Sequence, residues 1–300
     1  MKFGKRREKS ILERLTLLDF MLAFVLTLGM ITVVYPFWNS VLVSIVPAED
    51  ILMNPAMIFP KRVSLAAYEY VFTESLIPRG FLNSAVISVA HTFLAVSMSV
   101  IAGYVFTKKF PGQKAFYVFL ILPSLLPGGL IPNYILIQKL HLINNPFAII
   151  LPGAFVWSSG LYMARYFRSV PVELEEAAKI DGASEVRIVC RIILPLITPF
   201  IAVACLNTFV QQWNSWYNGM LYMRSAEKMP LATILRDMQQ TAKNILTLDG
   251  MTEQANQKAM IHSESIQMAC VMTATIPIML LYPYAQRFFI GGLTSGAVKG

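Results

Sequence analysis

The chain has 300 residues, 56% of them hydrophobic and 14% charged, with a formal net charge of +8. That balance excludes an ordinary soluble domain and predicts an integral membrane protein. The basic residues sit at the ends of apolar segments instead of forming one stripe with interleaved aromatics, so they set topology and do not point to nucleic acid.

Lys2, Lys5, Arg6, Arg7 and Lys9 precede an apolar run over about 15–46 that is too long for the core of a cleavable signal peptide. It predicts a first membrane helix with its N-terminus inside and a kink at Pro36. Residues 47–80, with Pro55, Pro60 and Pro78, read as an external loop. The second span, about 81–107, carries Ser84, Ser88, His91 and Ser99 at helical spacing. This stripe either lines a translocation path or packs helices through small hydroxyls, and His91 is either hydrogen-bonded between helices or a ligand or proton relay.

Lys108, Lys109 and Lys114 place the next turn inside. The third span, about 115–138, is interrupted by Pro123, Pro127, Gly128, Gly129 and Pro132. It is either a broken helix beside a cavity or a helix that ends early near the outer surface. The fourth span, about 146–166, returns the chain to the cytoplasmic side at Arg165 and Arg168. A charged loop over 169–191 follows, then a fifth span over about 192–217 and an external loop over 218–265. In that loop Met229-Pro230 precedes a helical pattern over 231–240. A sixth span over about 266–290 and a tail returning inside complete the expectation: one all-α domain over 1–300, with six transmembrane helices and both termini cytoplasmic.

Cys190, Cys205 and Cys270 lack CxxC spacing and read as small buried hydrophobes. His262-x-Glu264 lacks HExxH spacing and a third ligand, so no metal site is expected. There is no GxxxxGK[ST] glycine loop and no GxSxG turn. No residue is assigned a catalytic role, and no cofactor is expected in this chain.

The charged loop reads as two short helices. Pro171 suits a helix start, and Glu173, Glu175 and Glu176 lie where the helix dipole favours carboxylates. Glu175 and Lys179 form an i,i+4 pair. Gly182 after Asp181 ends the helix in a left-handed turn, Ser184 caps the next, and Pro195 marks a kink. Leu174, Ala177 and Ala178 fall on one side, a shallow face that another protein can approach.

Glu176-Ala177-Ala178, Gly182 and the later Ile192-x-Leu194-Pro195 resemble the EAA loop of the permease subunits of bacterial ABC importers. Ile131-Pro-Asn-Tyr134, Asn145 to Gly153, Trp213-Asn214 and the ending Pro283 to Gly300 resemble the carbohydrate-uptake, maltose-permease-like branch. Gly128-Gly129 and the Gly-x-Val-Lys-Gly tail resemble its subgroup for complex or acidic oligosaccharides. The resemblance implies a type I ABC importer permease fold in the bacterial inner membrane. Its coupling loop, with Glu173, Glu176, Ala177, Ala178, Asp181, Gly182 and Ala183, would dock on a cytoplasmic ATPase. The implied partners are a second homologous permease, two ATPase subunits carrying ATP and Mg, an extracytoplasmic solute-binding protein and membrane lipid, with a sugar as substrate. A rival of another class is an ion- or proton-coupled secondary transporter, to which His91 and the broken third span would point.

The fifth span ends in amides interleaved with aromatics: Asn207, Gln211, Trp213, Asn214 and Tyr217. Flat rings stack on the apolar faces of pyranoses while amides bond hydroxyls, so this stretch is either a sugar path or an interfacial aromatic belt.

Overall fold

The computed structural model describes residues 17–53, 57–73, 76–126, 128–245, 264–283 and 286. The basic N-terminal segment, Pro55, Pro127, His262 and the glycine-rich tail lie outside the described residues. The chain groups into two units, Met1–Tyr68 with Gly250–Met272, and Glu69–Asp249 with Thr273–Gly300.

In the first unit, α1 (Leu17–Ile45) runs unbroken through Pro36, and α2 (Ala48–Met53) follows it. The large apolar side chains between Leu18 and Val34 of α1 are exposed, as a lipid-facing helix requires. Its last turns are different: Leu42, Val43 and Val46 are buried with Ile51 and Met57. Asp50 accepts hydrogen bonds from Arg62 at 2.6 and 3.0 Å, which fixes the loop after α2. Helix α3 (Ala66–Thr73) then leads out of this unit.

The second unit is built on α4 (Ile77–Thr107), which begins with Pro78 in its first turn, four residues earlier than the sequence suggested. Next come α5 (Gln113–Leu125) and α6 (Leu130–Lys139), bent by 110° at a break where the sequence placed its run of Pro and Gly. The expected fourth span is not one helix. It divides into α7 (Phe147–Ile150) and α8 (Trp157–Phe167), because Pro152-Gly153 intervenes and Gly153 has φ +80°. Helix α8 lies hard against α4 through a reciprocal glycine contact. A Cβ on Gly103 would stand 2.7 Å from Met163 Cβ, and one on Gly160 would stand 2.8 Å from a Phe106 ring carbon. Small residues are what let membrane helices approach this closely.

The charged loop forms α9 (Val172–Ile180) and α10 (Glu185–Ile188), followed by a π-helical turn at Val189–Ile193 and α11 (Leu194–Leu196). The chain then bends by 80° at Ile197 into α12 (Thr198–Trp213), which begins six residues after the start expected for the fifth span. The bend falls between Pro195 and Pro199, where two residues without N–H groups interrupt the helical ladder. Beyond it lie α13 (Tyr217–Tyr222), α14 (Leu231–Ile245) and α15 (Glu264–Pro283). Among the described residues, α1, α4 and α15 are each long and apolar enough to cross a membrane, and the two bent pairs raise the count to at most five.

The polar stripe of α4 is turned into the protein. Ser84, Ser88, His91 and Ser99 are all buried. Ser84 Oγ accepts the Leu231 N–H at 2.8 Å, Ser99 donates to Ala95 O at 2.7 Å, and His91 Nδ1 bonds the Ile150 carbonyl at 2.8 Å. The cysteines divide. Cys270 is buried and Cys205 half-buried, but Cys190 is exposed, contrary to expectation, because it lies on the outward side of the π-helical turn whose Ile193 packs inward.

Candidate functional site: a charged coupling element and an outer amide cluster

The charged element is a helix, a glycine turn and a helix. Pro171 precedes α9 in an extended conformation (ψ 131°), Gly182 takes φ +76°, and Ser184 stands at the start of α10. The Gly182 N–H donates to Lys179 O at 3.0 Å and the Ala183 N–H to Ala178 O at 2.9 Å, closing the last carbonyls of α9. No heavy atom lies within 4 Å of a Cβ built on Gly182. Backbone conformation, not space, demands glycine there.

Ala178 and Ile188 turn inward, where they pack with Met163, Phe167, Ile193 and Ile197. Ile188 is fully buried, and burying such a side chain contributes about 1.5–3 kcal/mol. Ala178 therefore belongs to the attachment of the element, not to its free face as the sequence suggested. Glu173, Glu176, Ala177, Asp181 and Gly182 are exposed, and Ala183 is half-buried. On either side of the turn, Ile180 is 87% and Val186 73% exposed.

The opposite edge carries a ring of charges. Glu175 bonds Lys108 and also Lys179, the latter at 2.8 Å. Glu185 stands 3.1 Å from Lys179 and 3.6 Å from Lys108, and it accepts the Tyr104 hydroxyl. The Lys108 ammonium also lies 4.5 Å from the centre of the Tyr104 ring. Burial pushes the Glu175 carboxyl upward, but the hydrogen bonds from Lys108 and Lys179 outweigh it and hold the group below its ordinary value. Beside the ring is a cavity of about 330 Å³ that Lys108, Glu175, Arg168 and Thr107 help to line. Arg168 donates to Phe106 O at 3.1 Å, tying the end of α8 to the end of α4. Sequence reasoning found the Glu175–Lys179 pair from its i,i+4 spacing; nothing local signalled Lys108, Tyr104 or Glu185.

The amide and aromatic residues at the far end of α12 do not converge on one point. Asn207, Gln211 and Asn214 are exposed, while Trp213 is buried at 3% exposure. Phe209 stacks on its ring at 5.7 Å, Phe81 meets it edge-on at 5.3 Å, and its indole N–H donates to Ala274 O at 3.1 Å. In this conformation the indole is occupied by protein, while the nearby Tyr217 is 42% exposed. Tyr217 lines a cavity of about 620 Å³ with Asn133, Asn218 and Tyr222.

Asn144 fixes this end of the molecule. Its side-chain oxygen accepts the N–H groups of Arg224 and Ser225 at 3.2 and 3.1 Å, and its carbonyl accepts Lys228 at 3.1 Å. Asn83 donates to the carbonyls of Glu227 and Met229 at 2.8 and 3.1 Å. Segment 224–231 is thereby bonded both to the outer turn and to the start of α4.

Among the described residues, no cluster of His, Cys, Asp or Glu is placed to hold a metal ion.

The chain is similar to transport proteins along nearly its whole length. The polygalacturonan/rhamnogalacturonan transport system permease protein YtcP of Bacillus subtilis (strain 168) is 29% identical over 92% of this chain and 96% of its own. Protein LplC of the same organism is 33% identical over 91% of each. The arabinooligosaccharides transport system permease protein AraQ of Halalkalibacterium halodurans is 30% identical over 99% of this chain and 100% of its own. In fold, the chain matches the crystal structure of a bacterial ABC transporter involved in the import of the acidic polysaccharide alginate. The TM-score is 0.80 at 24% identity, covering 94% of this chain and 99% of that one. The family model for the binding-protein-dependent transport system inner membrane component matches residues 95–290, a stretch that includes both the charged helix-turn-helix and α12, and the chain belongs to that family.

Proposed function

We propose that this chain is a permease subunit of an ATP-driven importer that receives an oligosaccharide from an extracytoplasmic solute-binding protein and passes it to the cytoplasm by alternating access. The single observation that carries the mechanism is the element at 172–188: a charged helix-turn-helix with Ile180 and Val186 bare on either side of its turn. Such an element fits a groove in a cytoplasmic ATPase, whose closure would bias the permease between its two states. Glu173, Glu176, Ala177 and Asp181 form the docking face with them, Gly182 and Ala183 set the turn, and Ala178 anchors it.

In this reading the chain crosses the bacterial cytoplasmic membrane six times with both termini inside, beside a second homologous permease. ATP and Mg act in the two ATPase subunits, and this chain supplies no catalytic group. The relatives named for polygalacturonan/rhamnogalacturonan and arabinooligosaccharides support an oligosaccharide substrate, with uronate-containing chains among those to test. Asn207, Gln211, Asn214 and Tyr217 contribute to its path, and Trp213 holds the end of α12 that presents them. A proton-coupled carrier is disfavoured because His91, its chief pointer, is engaged by the Ile150 carbonyl.

Purification in mild detergent tests the reading: the chain should bring an ATPase with it, and Ile180→Asp with Val186→Asp should release that ATPase while the membrane part stays folded. Absence of an ATPase from the wild-type preparation, with uptake driven instead by an ion gradient, would transfer the chain to the secondary carriers.

A further inference from the structure

Lys108, Glu175, Lys179 and Glu185 form a closed ring of alternating charge. Each lysine bonds or faces both carboxylates, and Tyr104 donates to Glu185 from the side. The four come from three elements. Lys108 immediately follows α4, Glu175 and Lys179 sit one turn apart on α9, and Glu185 opens α10. Glu185 reaches Lys179 across the turn that Gly182 makes at φ +76°. One side of the ring is sheltered, with Glu175 at 20% and Lys108 at 31% side-chain exposure, while Lys179 at 46% and Glu185 at 53% stand open, so solvent screens the Lys108–Glu175 pair less than a surface pair. Networks of this kind hold geometry better than isolated exposed pairs, because each side chain is already restrained by two partners.

The ring joins the coupling element to a long helix whose other end is also bonded. Helix α4 has 31 residues, about 46 Å of rise. Near its start, Asn83 and Ser84 bond Glu227, Met229 and Leu231 of the outer segment. A continuous chain of bonded groups thus runs from α9 and α10, through Lys108 and α4, to residues 227–231. Apart from the ring, the pair α9 and α10 is held by its covalent links and by the apolar contacts of Ala178 on α9 and Ile188 on α10.

We propose that Lys108 is a positioning residue for coupling: through the charge ring it clamps the coupling element to α4, and α4 carries displacement of that element to the outer segment at 224–231. This rests on the importer reading above, and its test separates the two. The wild-type complex, Lys108→Gln, Lys108→Arg and Glu185→Gln are reconstituted in proteoliposomes with binding protein, and the variants are compared at equal ATPase content. Sugar imported per ATP hydrolysed is measured. So is the ATP-dependent change in labelling of Ala226→Cys by an impermeant maleimide, in a background with the three natural cysteines replaced.

Lys108→Gln should retain the ATPase on purification, yet import about fivefold less sugar per ATP, the lower end of ordinary allosteric coupling. It should also lose the ATP-dependent change at residue 226. Lys108→Arg should recover most of both, because it restores the cation. Glu185→Gln, at an exposed position that folding does not require, should fall between and carries the test if Lys108→Gln fails to assemble. Unchanged import per ATP in both neutral variants, or equal losses in Lys108→Gln and Lys108→Arg, overturns the clamp. Failure of the wild-type chain to bind any ATPase overturns the importer reading instead, and with it the clamp.

Discussion

His91 donates its Nδ1 hydrogen to the Ile150 carbonyl across 2.8 Å, and the pair is enclosed where α4 meets the end of α7. Ile150 closes its helix, so its carbonyl has no further helical N–H to meet. His91→Leu would leave that acceptor unpaired at a cost of about 1–3 kcal/mol. The expected result is a lower thermal midpoint for the purified assembly, with His91→Gln less affected because an amide can still donate. ATP-driven uptake by the surviving His91→Leu protein should be insensitive to a protonophore. Collapse of wild-type uptake by protonophore at constant ATP, abolished in His91→Leu, would give the residue back its role as a proton relay.

Gly182 sits at φ +76° with open space around it, so the penalty for a side chain is conformational. Gly182→Val opposes the left-handed turn by roughly 1–2 kcal/mol, and it moves Glu185 away from Lys179. Binding-protein-stimulated ATPase activity should fall while the membrane helices keep their thermal midpoint. Gly182→Asn, which tolerates that conformation better, should lose less. Full stimulation in the valine variant would separate the turn from coupling.

The Glu175 carboxyl gives the coupling element an acid sensitivity. Burial pushes its affinity for a proton up, but the Lys108 and Lys179 bonds outweigh this, and the folded group titrates below its ordinary value of 4.5. Because the unfolded carboxyl takes up a proton first, the stabilisation is fully present above 4.5 and is lost as pH falls through the lower, folded value. The groups that face it are Lys108 and Lys179, with Glu185 and Tyr104 completing the ring. Hydrogen exchange over 172–188 should quicken on acidification below 4.5 in the wild type, beyond the intrinsic dependence on pH. Glu175→Gln should be faster at neutral pH and lose this extra acid response. Identical profiles for the two proteins would remove Glu175 from the stability of the element.

What the sequence made legible was whatever a residue imposes on its own backbone. Gly182 and Pro171 announced the turn and the helix start, Pro123 to Pro132 announced the break between α5 and α6, and Met229-Pro230 preceded α14. Pro152-Gly153 carried the same kind of signal, yet the apolar run around it was read as one span. What stayed hidden were relations between distant elements. Ala178 turns inward because Phe167 and Ile197 lie behind it, and Lys108 meets Glu175 because the Gly103 and Gly160 contacts bring the ends of α4 and α8 together. Periodicity places a residue on a face; it does not say which face another helix will cover.

The amides at the end of α12 and the ring of Tyr217 separate two tests that composition alone would merge. Trp213→Ala removes a buried indole packed on Phe81 and Phe209 and frees the Ala274 carbonyl, so it should cost roughly 3–5 kcal/mol of stability. Its main effect is a lower yield of assembled complex, with smaller change in uptake per complex. Tyr217→Ala and Asn214→Ala touch exposed groups, and each should leave yield and thermal midpoint close to wild type. If a sugar passes here, a ring contact and an amide hydrogen bond each contribute roughly 1 kcal/mol, so uptake should fall about fivefold per variant. Comparing a neutral with a uronate-containing oligosaccharide then reads charge separately from stacking. Of the outer cations, Lys228 is bonded to Asn144 and Arg236 lies 5.0 Å from the Trp216 ring, which leaves exposed Arg224 as the better position to neutralise. Arg224→Gln should reduce uronate uptake more than neutral uptake, by a margin that added salt narrows. Undiminished uptake of both sugars by Tyr217→Ala and Asn214→Ala would reduce this stretch to an interfacial belt, with the packed Trp213 as its anchor.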